Sequence, residues 1–171
     1  MFIEAGGIEQ WLEIDGDGDK PVLLLLHGGP GASTRFASEA WRPWRDHFTL
    51  VHWDQRGAGR TFLRNGAGNC LPMSFARIVD DGLEVAEFVR RHLGQDRIHM
   101  LGHSWGSAIA VHMAKRRPDL FLSLAATGLL VNFRENEAIN HAKLNRLAHA
   151  KADTESLSTL GRIGAPPYAS I

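Results

Sequence analysis

The sequence predicts an α/β fold, a mostly parallel sheet with helices packed on both of its faces. Three observations carry this. Val22 to Leu26 is an unbroken apolar run of strand length, the pattern of a central strand buried on both sides. Strand-like and helix-like segments alternate from that run as far as Ala126. Between them, Phe75 to Leu93 places Phe75, Ile78, Val79, Val85, Ala86, Val89 and Leu93 on one helical face.

Ahead of the central run, Phe2 to Glu4 and Ile8 to Ile14 predict a hairpin about Ala5-Gly6-Gly7, with imperfect alternation. Asp15-Gly16-Asp17-Gly18-Asp19 predicts a solvated turn. Its aspartates alternate as in a calcium loop, but Lys20 stands where that loop needs glycine and Leu26 where it needs glutamate. The central run enters His27-Gly28-Gly29-Pro30-Gly31, whose glycines and proline forbid continued strand or immediate helix. Ser38 to Asp46 reads as a helix interrupted by Pro43, and Phe48 to Trp53 as the next strand.

The amphipathic helix stops at Gly94. Ile98 to Leu101 is a short strand, Gly102 to Gly106 a sharp turn, and Trp105 to Arg117 a helix ended by Pro118. Leu120 to Ala126 closes the series as a buried-type strand. Residues 1–130 are thus expected to form the core. Residues 131–171 change character: Glu135 to Lys151 is a polar, Ala-rich helix, and Pro166-Pro167 breaks the chain. This part, with little apolar surface of its own, reads as the beginning of an incomplete helical lid.

The 171 residues are 44% hydrophobic and 22% charged, the composition of one ordinary globular domain. Nineteen Lys plus Arg balance nineteen Asp plus Glu, which excludes an electrostatic footprint for nucleic acid or an anionic membrane. No apolar run is long enough to span a bilayer, and no basic region precedes an apolar stretch as in a secretory leader. The single cysteine, Cys70, fits a reducing, cytoplasmic setting. It lies in a Gly/Asn-rich stretch, 65–70, with no helix start to activate it, and reads as a loop cysteine rather than a nucleophile. No histidines fall at a metal spacing, so no metal site is expected. Composition leaves the oligomeric state open.

The chemistry-bearing motif is Gly102-His103-Ser104-Trp105-Gly106, a G-x-S-x-G between a predicted strand and a predicted helix. In that setting the serine sits on a strained turn that lifts its hydroxyl above the sheet edge, and the glycines permit the close packing. Ser104 is the candidate nucleophile. Acyl transfer also needs donors for the developing oxyanion, each worth about 3–4 kcal/mol of transition-state stabilisation. The backbone N–H of Trp105 supplies one, and that of Gly29 in the 27–31 loop is the candidate for the second.

Three stretches resemble the proline iminopeptidase (prolyl aminopeptidase) family of α/β-hydrolases. They are His27-Gly28-Gly29-Pro30-Gly31, Trp53-Asp54-Gln55-Arg56-Gly57-Ala58-Gly59-Arg60-Thr61 and Gly102-His103-Ser104-Trp105-Gly106-Ser107, in that order. The resemblance implies an α/β-hydrolase core, a helical cap and hydrolysis through an acyl-enzyme, with Ser104 as nucleophile and Gly29 and Trp105 as oxyanion donors. It implies a small peptide, amide or ester substrate, in that family one with an N-terminal proline, and no metal or organic cofactor. Two places depart from the family pattern. His103 stands where its elbow often has glycine, and 126–130 differ from the corresponding segment. Glu135 and Glu137 are acidic and near the region from which that family holds the substrate amine, but neither matches its pattern.

In this fold the triad runs Ser, then Asp or Glu, then His. Asp54 precedes the serine and is expected, with Arg56, to form a charged pair that holds its loop. After Ser104 come Asp119, Glu135, Glu137, Asp153, Glu155, His112, His141 and His149, none following a strand that would deliver it to the top of the sheet. Neither the triad acid nor the histidine is therefore expected within residues 1–171. His103 is expected to pack beside the turn. The chain is expected to be truncated before the last strands, poorly active alone and prone to aggregate. Two other readings stay open: an esterase, lactonase or amide hydrolase on the same core, and a catalytically incompetent pseudoenzyme fragment. Epoxide hydrolases and haloalkane dehalogenases need aspartate at the elbow, where this chain has Ser104.

Overall fold

The computed structural model describes residues 1–16, 18–33 and 38–168. Residue 17 of the expected 15–19 turn lies outside them. The described chain divides into two compact units, Met1–Leu130 and Val131–Ile171. Among the described residues no helix is long and apolar enough to cross a membrane.

The first unit is built on a six-stranded sheet of order β1-β2-β4-β3-β5-β6. Its strands are β1 (Phe2–Ala5), β2 (Ile8–Asp15), β3 (Val22–Leu26), β4 (Thr49–Asp54), β5 (Ile98–His103) and β6 (Phe121–Thr127). The β1–β2 hairpin joins β4 antiparallel, whereas β4, β3, β5 and β6 run parallel. The helices of this unit are α1 (Ser38–Trp41), α2 (Gly59–Asn69), α3 (Phe75–His92) and α4 (Trp105–Arg116). Pro43 turns the end of α1 into a 3₁₀ segment, Arg42–Asp46.

The apolar run of β3 works as a two-sided strand because side chains alternate across a sheet. Val22, Leu24 and Leu26 join one core cluster with Val51, Trp53, Ile98 and Met100 and with the buried faces of α3 and α4. Leu23 and Leu25 join Leu50 and Leu101 on the opposite face, under Trp41 and Phe48. All five β3 side chains are buried, and each contributes about 1.5–3 kcal/mol of apolar burial.

One expectation is overturned between β4 and α3. The Gly/Asn-rich stretch that reads as loop belongs to α2, which kinks at Gly66, where φ is 72° and ψ is 173°. Cys70, expected in a loop, is the buried C-cap of that helix. The start of α2 is fixed from a distance: the Arg60 N–H donates to an Asp54 carboxylate oxygen at 2.8 Å, a negative charge at a helix N-terminus.

The second unit is a pair of helices, α5 (Phe133–Ala150) and α6 (Thr154–Ile163). Asn132 caps α5 through the Glu135 N–H, and Asp153 caps α6 through the Ser156 N–H. Between them lies a cleft lined by Leu144, Leu147 and Leu160. Contrary to a tail with little apolar surface, Ile139, Leu144, Leu147 and Ile163 are all exposed.

Candidate active site

The chain leaves β3 to form β4 on one side of it and later returns as β5 on the other. Loops diverging from two such neighbours open a crevice beyond the carboxyl ends of the strands, the usual ligand position in parallel sheets. The 27–31 loop follows β3, and the turn at Ser104 follows β5.

Ser104 has φ 50° and ψ −116°, a left-handed conformation for a residue with a side chain. Such strain costs of order 1–3 kcal/mol and persists only where the surroundings over-determine it. Here they do. The Ser104 N–H donates to the Thr127 carbonyl at 2.8 Å, and the Ser107 N–H donates to the Ser104 carbonyl at 2.9 Å. The Ser107 hydroxyl donates to that same carbonyl. The flanking glycines are sterically required. A β-carbon on Gly106 would lie 2.1 Å from the Leu26 carbonyl oxygen, and one on Gly102 would lie 2.5 Å from the Gly106 oxygen. Ser104 itself is partly exposed. Trp105 opens α4, and first-turn amides have no partner within their own helix.

The 27–31 loop touches this turn. A β-carbon on Gly28 would stand 3.1 Å from Cδ2 of His103 and 3.3 Å from Cβ of Ser104. Gly29 follows in the left-handed region at φ 128°. His27 anchors the loop from below. The Gln55 N–H donates to its Nε2 at 3.1 Å, so its proton sits on Nδ1, which donates to the Gly28 carbonyl at 2.8 Å. Burial pushes the His27 imidazole below the usual histidine range, against the Gly28 hydrogen bond that pulls it up. Burial also lowers His52, despite nearby Glu13. The Gln55 amide donates to the His27 carbonyl at 3.1 Å. The Ser33 hydroxyl donates to Asp54 at 2.5 Å, tying this stretch to the end of β4.

Ser104, Trp105 and Gly29 are thus on two segments in direct contact. Asp54 and Arg56 are not each other's partners, contrary to the expected pair. Arg56 donates from Nε to Asp81 at 2.6 Å and from a terminal nitrogen to the Gly6 carbonyl at 2.7 Å. Both side chains of the Arg56–Asp81 pair are almost wholly buried. The sequence held a signal for this: Asp81 is a charge on the apolar face of α3, between Ile78 and Val85. Thr127, which holds both Ser104 and His103, carried no such signal. Within residues 1–130, among the described residues, the Ser104 hydroxyl has no hydrogen-bond partner, and both nitrogens of His27 are committed, one to the Gly28 carbonyl and one to the Gln55 N–H.

A hydroxyl raised on a strand-to-helix turn, beside a helix-start amide and a glycine loop, is the arrangement acyl transfer uses. Residues 21–149 match the family described as alpha/beta hydrolase fold. The chain belongs to that family. As an alpha/beta hydrolase it resembles a probable aminopeptidase of Bacillus subtilis, YbaC, at 32% identity over 169 residues, covering 97% of this chain and 52% of that protein. It resembles the proline iminopeptidase of Lactobacillus delbrueckii subsp. lactis at 26% identity over 177 residues, 98% of this chain and 56% of that one. The crystal structure of a proline iminopeptidase-related protein from Thermus thermophilus superposes with a TM-score of 0.71 at 28% identity, over 97% of this chain and 56% of that one. This alpha/beta hydrolase chain therefore spans about half the length of these relatives.

Proposed function

We propose that the chain carries the nucleophile half of a serine hydrolase of the proline-iminopeptidase kind, acting by acyl-enzyme chemistry. The observation that carries this is the strained, partly exposed Ser104 packed against the glycine loop. In this reading the Ser104 oxygen attacks the carbonyl carbon of a small peptide, amide or ester. The oxyanion is met by the Trp105 and Gly29 amides, and the leaving amine or alcohol departs with a proton. Water then cleaves the acyl-enzyme and restores the hydroxyl.

A serine hydroxyl is a weak nucleophile until a base takes its proton. We place the triad histidine and its acid outside residues 1–171. The Ser104 hydroxyl is unpartnered among the described residues of 1–130, and the histidines nearest it in the fold make other contacts. His99 pairs with the Ser123 hydroxyl, His103 with that of Thr127, and His112 packs edge-on to Phe75. Residues 131–171 are read as the beginning of a helical cap. Cys70, a buried free thiol, fits a reducing, cytoplasmic setting.

Assays of the purified chain with prolyl 4-nitroanilide and 4-nitrophenyl acetate test the reading. Turnover abolished by Ser104→Ala is expected, weaker by several orders of magnitude than in triad-complete relatives. Release of 4-nitroaniline as well as 4-nitrophenol supports the aminopeptidase. Ester cleavage alone favours an esterase. Turnover unaffected by Ser104→Ala overturns the assignment. The unpartnered hydroxyl also favours a second reading, a non-catalytic fragment, for which no serine-dependent turnover is the signature.

A further inference from the structure

The two places where the sequence departs from the proline-iminopeptidase pattern meet in space. The His103 ring nitrogen Nδ1 lies 2.9 Å from the Thr127 hydroxyl. The two residues are register partners on the parallel β5–β6 pair. The Thr127 carbonyl meanwhile accepts the Ser104 N–H at 2.8 Å. One residue of β6 therefore grips two consecutive residues of the turn, one through its side chain and one through its backbone.

The imidazole is solvent-exposed, yet two further backbone segments approach it. The α-carbon of Gly28 packs against it so closely that an added β-carbon would lie 3.1 Å from Cδ2. A β-carbon on Gly128 would lie 3.9 Å from Cε1. The ring thus lies at the surface between the loop after β3 and the end of β6. If it swings, Gly28 loses one of the surfaces that hold it against the Ser104 turn, the others being the His103 carbonyl and the Ser104 β-carbon.

We propose that His103 and Thr127 are a positioning pair that holds the Ser104 turn and the 27–31 loop in register. They touch no reacting atom and act through Ser104 and through the Gly28–Gly29 backbone. The proposal rests on the reading of Ser104 as nucleophile. Its expected signature is a lower chemical rate with unchanged binding, because misplacing reacting groups by about 1 Å slows chemistry by up to about 100-fold.

The fold supplies an internal control. On the same two strands, His99 Nδ1 lies 2.8 Å from the Ser123 hydroxyl, again between register partners. This pair sits at the opposite end of β5 from Ser104. Removing it takes away an equivalent cross-strand bond without touching the turn.

The experiment is saturation kinetics of labelling the full chain with an alkyl fluorophosphonate, which separates kinact from KI. Thr127→Val is expected to lower kinact about tenfold with KI held within about twofold. Thr127→Ser, which keeps the hydroxyl, is expected to restore it, and Ser123→Ala to match the wild type. A Thr127→Val rate equal to wild type overturns the proposal, as does an equal loss in Ser123→Ala or Thr127→Ser. Should the wild type not label at all, the nucleophile reading fails and the pair is judged by amide NMR. Thr127→Val must then move the Gly28, Gly29 and Ser104 signals, while Ser123→Ala leaves them in place. Signals that stay put in Thr127→Val overturn it.

Discussion

The α-carbon of Gly28 lies against the β-carbon of Ser104, close enough that a methyl group on Gly28 would stand 3.3 Å from it. Residues 76 positions apart in the chain are thereby joined at the end of neighbouring strands β3 and β5. The contact admits glycine easily and alanine only if the loop yields by a few tenths of an ångström. Gly28→Ala is expected to fold with little loss of stability and to slow Ser104 labelling. Gly106→Ala meets backbone at 2.1 Å and has no such escape. It is expected to destabilise by about 1–3 kcal/mol or more. Urea denaturation monitored by tryptophan fluorescence separates the two outcomes.

Arg56 and Asp81 make a second prediction. The pair is buried on both sides, and Asp81 also accepts from Arg77 at 2.8 Å. Removing one partner strands a buried charge. Asp81→Asn is expected to cost about 3–5 kcal/mol, whereas Arg56→Met combined with Asp81→Leu should cost less than Asp81→Asn alone. Denaturant midpoints of the single and double variants check this. Equal or greater loss in the double variant would show that the ion pair itself, not the stranded charge, carries the stability.

That pair also marks what the sequence conceals. Asp54 is two residues from Arg56, so proximity suggests a local pair. The true partner stands 25 residues away on α3, and Asp54 is spent on the α2 amide and on Ser33. Long-range partners of this kind have no local pattern. For the same reason α2 is hidden: Gly66 and Gly68 weaken its intrinsic propensity, while its cap comes from β4. By contrast β3, α3, α4 and the Ser104 turn were legible, because burial on two faces, a 3.6-residue apolar stripe and flanking glycines each leave a local signature. The close approach of Gly28 and the grip of Thr127 depend on which strands become neighbours, and that is not written in any one segment.

The pH dependence follows from two buried histidines. His27 and His52 have folded-state values lowered from the ordinary histidine value by burial. The unfolded chain therefore binds more protons than the native state over that interval, and stability rises with pH there. Their contribution is fully present above about pH 6.5, the unfolded value, and is lost as pH falls through the folded values. Urea midpoints are expected to hold between about pH 7 and 8 and to fall below about pH 6.5, with a shallower fall in His27→Gln. A flat profile down to about pH 5 would contradict the burial argument.

β6 predicts association. It is an edge of the described sheet, carries no charge and no proline, and exposes Leu122. The opposite edge, β1, is only four residues long and bears Glu4. Natural edges are protected by charge, proline or brevity, and β6 has none of these. Concentration-dependent assembly of the chain is expected, with Leu122→Lys reducing it. Sedimentation velocity at rising concentration decides, and a monomer at all concentrations would count against the edge.

The central claim is that Ser104 is a hydroxyl made available for covalent chemistry by its turn. The most direct measurement is intact and peptide mass spectrometry of the chain after reaction with a fluorophosphonate. The account predicts a single adduct that maps to Ser104 and is missing from Ser104→Ala. An adduct on any other serine, or an unmodified chain after prolonged exposure, would contradict it.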